Sequence, residues 1–376
     1  MAIRSATSMR GEVVHLYAFD IAYEADLAAV EKAMLGAAER FRLVRPKDAP
    51  RNFPVYRPLT IQGEELELEG PQGPLALSIS LKLFSVGAIS VSVRTPVACQ
   101  RIGDLAVFRD LKFKDGTTLD DRVREIVRRL VDSVRPHLDT PVATLAQPEV
   151  YTIFCLDTTF RDVPGEPIEV WLRRNEREVA ALIDGEPDMA RLSQQEIQET
   201  TKYRYSYYQD DLAVLDWDAA LLVDSPESYQ DSLYVLEVAN LQLEELRVYD
   251  AKLDAVLDKA YDDVEAVARP HAFRVRHRVL SELREIRMDL TKVADELSNI
   301  TKFFGDWYLA RIYMGCAARF HLAEWEGVVS QKLRALDGLY TMLQQDSMNR
   351  VMLMLEAGIV ALFIIDLIII AVLGIK

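Results

Sequence analysis

The sequence has 376 residues, half of them apolar and 27% charged, which excludes a disordered chain and leaves room for two soluble domains and an anchor. A net charge of −15 excludes general binding of DNA or other nucleic acid, because that needs a basic field. Three widely spaced cysteines, Cys99, Cys155 and Cys316, form no CxxC or Cys/His ligand pattern, so free thiols in a reducing compartment are expected and no metal or cofactor is.

The first ten residues have no apolar core of signal-peptide length, so the soluble part is expected to stay where it is made. Glu12 to Asp20 reads as a strand. Tyr23 to Ala38 reads as a helix with Leu27, Val30, Met34 and Ala38 near one face. Pro46, Pro50, Pro54 and Pro58 make the next stretch a loop or edge strand. Leu75 to Leu83 and Ala88 to Val93 alternate with period two across Ser85-Val86-Gly87, which predicts a hairpin. Thr118 to Leu138 places Leu119, Val123, Ile126, Val127, Leu130 and Val134 on one helical face. The order β-α-β-β-α predicts a small α+β head over residues 1–140, of ferredoxin-like type. His15 and His137 each stand alone, and solvated or core placement outweighs metal binding.

Leu138 to Glu149, with Pro141 and Pro148, reads as a domain boundary. A second α/β segment over residues 150–224 follows, with a strand at Val150 to Leu156 and a helix at Ile168 to Leu182. A short meander then uses Tyr203 to Tyr208, Leu212 to Leu215 and Ala219 to Val223. Tyr203, Tyr205 and Tyr207 would share one strand face. Such a face can stack bases, but it more often packs under helices, and Asp210, Asp211, Asp216 and Asp218 close by repel phosphate.

From Ser225 the chain reads as helical to its end. Ser225-Pro226-Glu227 supplies an N-cap and a first-turn proline. A 3,4 spacing then runs from Tyr229 through Leu236, Leu243, Leu253 and Leu257 to Val267, a coiled-coil-like seam that Pro270 stops. The next helix repeats the spacing from Val279 to Phe304, and Gly305-Asp306 marks a reversal. A third helix from Trp307 runs on toward the C-terminus, so residues 225–350 are expected to form an antiparallel long-helix bundle. Residues 226–265 hold eleven acids against three basic residues, whereas 269–302 hold eight basic residues against five acids. The crowding of Arg269, Arg274, Arg276, Arg278, Arg284 and Arg287 is either a complementary face that sets register or a docking patch for an acidic partner.

Ala357 to Ile375 contains one charge, Asp366, and at ~1.5 Å per residue the stretch spans about one bilayer. We expect a single C-terminal transmembrane anchor in the lipid bilayer. Arg350, Lys332 and Arg334 outweigh Lys376, which points to a cytoplasmic body on a bacterial-type inner membrane. An acid in mid-span costs ~2.5 kcal/mol or more, so Asp366 is expected between helices of a homo-oligomer. Glu356 lies at the interface, roughly 80° around the helix from Asp366, and does not form a ligand pair with it. No GxxxxGK[ST], GxGxxG, HExxH or GxSxG pattern occurs, and a non-enzymatic role is expected.

Phe303-Phe-Gly-Asp-Trp-Tyr308, Gln331-Lys-Leu333, Arg350 and Glu356 opening a span with an internal acid together resemble the required-for-meiotic-nuclear-division, or YagE-type, family, number 155 among the domains of unknown function. The resemblance covers about residues 150–376. It implies an inner-membrane oligomeric scaffold, mitochondrial in eukaryotes, that supports translation near the ribosome. The resulting expectation is a tail-anchored, non-enzymatic oligomeric scaffold. Two rivals stand beside it. A head, stalk helices and C-terminal span are similar to CorA-type magnesium channels, although those have two spans and a Gly-Met-Asn loop. The Asp210–Asp218 loop could instead hold a divalent cation in an enzymatic head.

Overall fold

A computed structural model of the chain describes residues 9–35, 42–43, 58–70, 73–158, 165–267 and 307–373. The described strands are β1 (Met9–Asp20), β2 (Glu24–Ala25), β3 (Arg42–Leu43), β4 (Leu59–Gln62), β5 (Leu66–Gly70), β6 (Gly73–Leu83), β7 (Ala88–Cys99), β8 (Leu138–Asp139), β9 (Glu149–Leu156), β10 (Tyr203–Tyr205), β11 (Leu212–Leu215) and β12 (Ala219–Val223). The helices are α1 (Leu27–Leu35), α2 (Leu119–Val134), α3 (Ile168–Asp184), α4 (Gln194–Thr200), α5 (Tyr229–Val267), α6 (Trp307–Arg319) and α7 (Leu322–Leu373). The chain is thus mixed α/β, sheet-rich in its N-terminal part and helical in its C-terminal part. The expected helix from Val279 to Phe304 and the Gly305-Asp306 reversal lie outside the described residues.

Local chemistry sets most of the boundaries. Thr118 caps α2 by accepting from the Asp121 amide, and Asp121 accepts the Thr118 amide in return. Pro136 ends that helix, so it stops at Val134 rather than Leu138. Gly185 closes α3 at φ 69°, a left-handed position that glycine adopts without strain. The expected helix from Tyr23 begins only at Leu27. Its Asp26 carboxylate accepts the Ala29 amide at 3.0 Å, while Glu24–Ala25 pairs with β8 instead. β6 and β7 form the expected hairpin, closed by Gly87 at φ 78°.

One sheet of ten strands runs β10-β11-β12-β9-β1-β7-β6-β4-β3, with β5 extending the pairing along β6. The expected boundary at 138–149 does not divide it. β9 pairs antiparallel with β1 over Gly11–Ala18, and β12 lies parallel to β9, so the expected second segment completes the first. β1 is the central strand of this order, and from Val13 to Asp20 it is buried on both faces. Val13, Tyr17 and Phe19 join one cluster with Val123, Ile126 and Leu130 of α2 and Trp171 and Leu172 of α3. Ala18, with Phe84 and Ala88, packs against Leu241 of α5 on the other side.

The first half of α5 is therefore a core helix rather than a coiled-coil strand, buried from Ser232 to Leu246 on nearly every side. Its polar residues meet a polar sheet face. Glu237 accepts from Ser90 at 2.7 Å and pairs with Lys82, and Arg94 donates to Gln230 at 2.8 Å. Glu244 is 4% exposed, and burial, reinforced by Asp20, pushes its carboxyl up to about 7. A raised carboxyl favours the neutral form in the fold. That stability is complete below the ordinary value of about 4.5 and is lost as pH rises through 7. Glu244→Gln is expected to remove this loss, up to about 3 kcal/mol between pH 5 and pH 8. Urea midpoints of the full chain in detergent check it; equal pH slopes for variant and wild type would discard the idea.

Two compact units divide the chain, Met1–Val248 with Leu297–Trp325, and Tyr249–Glu296 with Glu326–Lys376. Within the second, Lys332 of α7 reaches Asp250 and Asp254 of α5 at 2.6 Å each, beside buried Leu253, Leu257, Val329 and Leu336. The third expected helix is broken: α6 stops at Arg319, and His321 takes φ 53° before α7 begins.

Candidate functional site

Among the described residues, polar side chains from several elements converge on the β11–β12 turn, Asp216-Trp217-Asp218. Tyr151 donates its hydroxyl to the carbonyls of Asp216 at 3.0 Å and Ala219 at 3.1 Å, from a fully buried position on β9. The Asp216 carboxylate pairs with Arg319 of α6, which also reaches Glu199 of α4 at 3.4 Å. Asp184, at the end of α3, accepts the Thr200 hydroxyl at 2.9 Å and contacts Asp216. Burial, with Asp216 beside it, pushes the Asp184 carboxyl up to about 6 against the Thr200 bond.

Arg109 clamps the same region from the segment that follows β7. It donates to the Ile183 carbonyl at 2.5 Å and lies 3.7 Å from Asp218, placing a cation at the C-terminus of α3. His15, 2% exposed, bonds the Arg109 carbonyl at 3.4 Å, and burial holds its imidazole below the ordinary value, so it is a neutral core histidine. The turn thus ties α3, α4, α6, β9 and β12 together. Arg319, Asp184 and Arg109 carried no sequence signal, since their partners lie far away in the chain.

The acids of the Asp210–Asp218 loop do not converge. Asp211 accepts the Tyr207 amide at 2.9 Å and that of Tyr208, Asp216 faces Arg319, and Asp218 faces Arg109. Among the described residues no group of three or more His, Cys, Asp or Glu is placed to hold a metal ion. Asp211, Asp216 and Asp218 are thus held by three separate partners rather than gathered around one point.

The tyrosine stripe also separates. β10 ends at Tyr205, whose ring packs on Gly315 of α6, so that a Cβ there would lie 2.5 Å from it. Tyr207 turns out of the strand onto Tyr208 and Tyr308, with Arg311 over the Tyr308 ring at 5.7 Å. Trp217, 44% exposed, stands against Phe320 and His321.

Arg269, Arg274, Arg276, Arg278, Arg284 and Arg287 lie outside the described residues. Glu356 and Asp366 are on α7 and exposed. Among the described residues one helix is long and apolar enough to cross a membrane, at Val351–Ile370, and none of it is buried. Cys99, Cys155 and Cys316 are buried free thiols, and burial pushes the Cys99 thiol up to about 11.

Comparison with known proteins corrects the resemblance to the meiotic-division, YagE-type family. The family model described as "Uncharacterized protein MJ0711, N-terminal domain" matches residues 10–230. That range takes in all but the first nine of the residues before 150 that the resemblance left out, and nothing points to the YagE-type family. The motifs that carried the resemblance, from Phe303 to Glu356, all lie outside the matched range. "Uncharacterized protein MJ0711" of Methanocaldococcus jannaschii is 24% identical over 220 residues, 58% of this chain and 65% of that protein. The chain thus spans somewhat under two thirds of that relative's length. No solved structure matches it. With the whole sheet and the turn at Asp216–Asp218 inside the matched range, the chain belongs to the MJ0711 N-terminal-domain family.

Proposed function

We propose that the chain is a single-span, membrane-anchored tether that self-associates through its anchor and presents its α/β head on the cytoplasmic side. The observation that carries this reading is Val351–Ile370, a 20-residue stretch whose only charges are Glu356 and Asp366 and of which none is buried, whereas a core helix of a soluble protein would be covered. Arg350, Lys332 and Arg334 before the span support the side assigned to the head. Asp366 supports self-association, since an acid among lipid tails is relieved by a hydrogen bond to a neighbouring helix. The head reads as ferredoxin-like, a view supported by the antiparallel order β9-β1-β7-β6 with α1 and α2 buried in one cluster. The Arg269–Arg287 stretch is the proposed contact for an acidic partner.

The test is alkaline extraction of membranes followed by the mass of the detergent-solubilised full chain, for wild type and Asp366→Leu. The wild type is expected to stay in the membrane pellet and to run as a defined oligomer that the variant loses. Release of the wild type by alkali would end the anchor reading. An unchanged oligomer in the variant would end the role of the acid.

A further inference from the structure

One corner of the head holds aromatic rings in solvent. Tyr207 and Tyr208, 61% and 69% exposed, follow β10 on a turn that Asp211 pins by its bonds to both amides. Their rings meet edge to face at 4.7 Å, and Tyr207 meets Tyr308 of α6 at 5.7 Å. The Tyr308 hydroxyl bonds Asp211, which braces the corner from a second element. Asp210 and Asp224 lie beside this group, and neither has an ion-pair partner among the described residues. Rigid tyrosines with adjoining acids suit an occupant that is basic and presents flat apolar faces, as a proline-rich segment does.

The sequence contains one such stretch. Residues 44–58 carry Arg45, Lys47, Arg51 and Arg57 against a single acid, Asp48, with a proline at every fourth position from Pro46 to Pro58. The stretch connects β3 to β4, at the edge of the sheet opposite β10. Seven strand steps separate β4 from β10, roughly 34 Å at the usual spacing. The two places also lie at opposite ends of the strands. Leu59 is level with Leu83, Ile89 and Phe19, whereas Leu212 is level with Val223, Leu156 and Gly11. Those rows are separated along β1 by roughly 26 Å. A segment tied at Leu43 and Leu59 reaches out and back by no more than about 29 Å, so it falls short of its own corner.

We propose that the aromatic corner at Tyr207, Tyr208 and Tyr308 receives residues 44–58 of a second copy of this chain. The contact joins unlike surfaces, so it links heads in a ring or an open row, as a heterologous interface does. It does not involve Asp366 and can be tested apart from the anchor.

A labelled peptide of residues 44–58 is titrated into the full-length protein in detergent and followed by anisotropy. Saturable binding is expected, at least tenfold weaker for Tyr207→Ser with Tyr208→Ser, whose exposure leaves the core untouched. Asp210→Asn with Asp224→Asn is expected to weaken it severalfold and to reduce its salt dependence. Asp366→Leu is expected to bind as wild type does, which separates this contact from the anchor. Equal binding by wild type and the tyrosine variant would overturn the proposal. Equal binding of a shuffled peptide of the same composition would overturn it too, leaving the corner as a surface for other basic partners.

Discussion

Replacing Arg319 by leucine is expected to lower the stability of the head by about 3 kcal/mol, the scale for removing one partner of a buried ion pair. Only 19% of the Arg319 side chain and 10% of the Asp216 side chain are exposed, so water screens the pair weakly. Without the guanidinium, Asp216 is left facing Asp184, whose carboxyl burial already holds at about 6. Protonation relieves that repulsion, so the deficit is expected to shrink from pH 8 to pH 5. Adding Asp216→Asn should recover part of the loss at pH 8, because it removes the stranded charge. Urea midpoints for the two single variants and the double variant at both pH values check this. Equal deficits throughout would mean that Arg319 acts by packing alone.

Gly11→Ala is expected to have a comparable or larger effect, about 3 kcal/mol or a failure to fold. A Cβ at Gly11 would lie 1.9 Å from the Cys155 carbonyl oxygen and 3.1 Å from the Leu156 Cα. Both are backbone atoms of β9, so no rotamer change relieves the clash and β1 and β9 must separate. β9 carries β12 in turn, and the β11–β12 turn with it. Gly327→Ala on α7 is the control, since nothing lies within 4 Å of its added Cβ and alanine is the better helix former. Thermal unfolding of both variants separates the cases; a Gly11→Ala protein as stable as wild type would show that β9 gives way at little cost.

Much of the local structure is legible in the residues themselves. The spacing from Leu119 to Val134 announces α2, and Gly87 closes a hairpin whose strands alternate cleanly. The apolar run around Asp366 is legible because length and composition alone make a span candidate. The alternation of Tyr203, Tyr205 and Tyr207 misled, since Asp211 draws the Tyr207 and Tyr208 amides into a turn that the period cannot register. The seam along α5 misled as well. A 3,4 stripe shows that a helix buries one face, but not whether a helix or a sheet covers it, and here Leu241 meets Ala18, Phe84 and Ala88.

The elements themselves are therefore written locally: periods, caps, turns and the apolar helix around Asp366 are each encoded within a few to about twenty neighbouring residues. Their partnership is not. β9 lies beside β1 and erases a boundary that two prolines suggested, Arg319 meets Asp216 across 103 residues, and the acids at 211, 216 and 218 divide among three different partners. The physical reason is that a helix or turn is stabilised by contacts local in the chain. Strand neighbours and buried ion pairs depend on which distant surfaces fill each other's faces, and no short window of residues contains both sides of that choice.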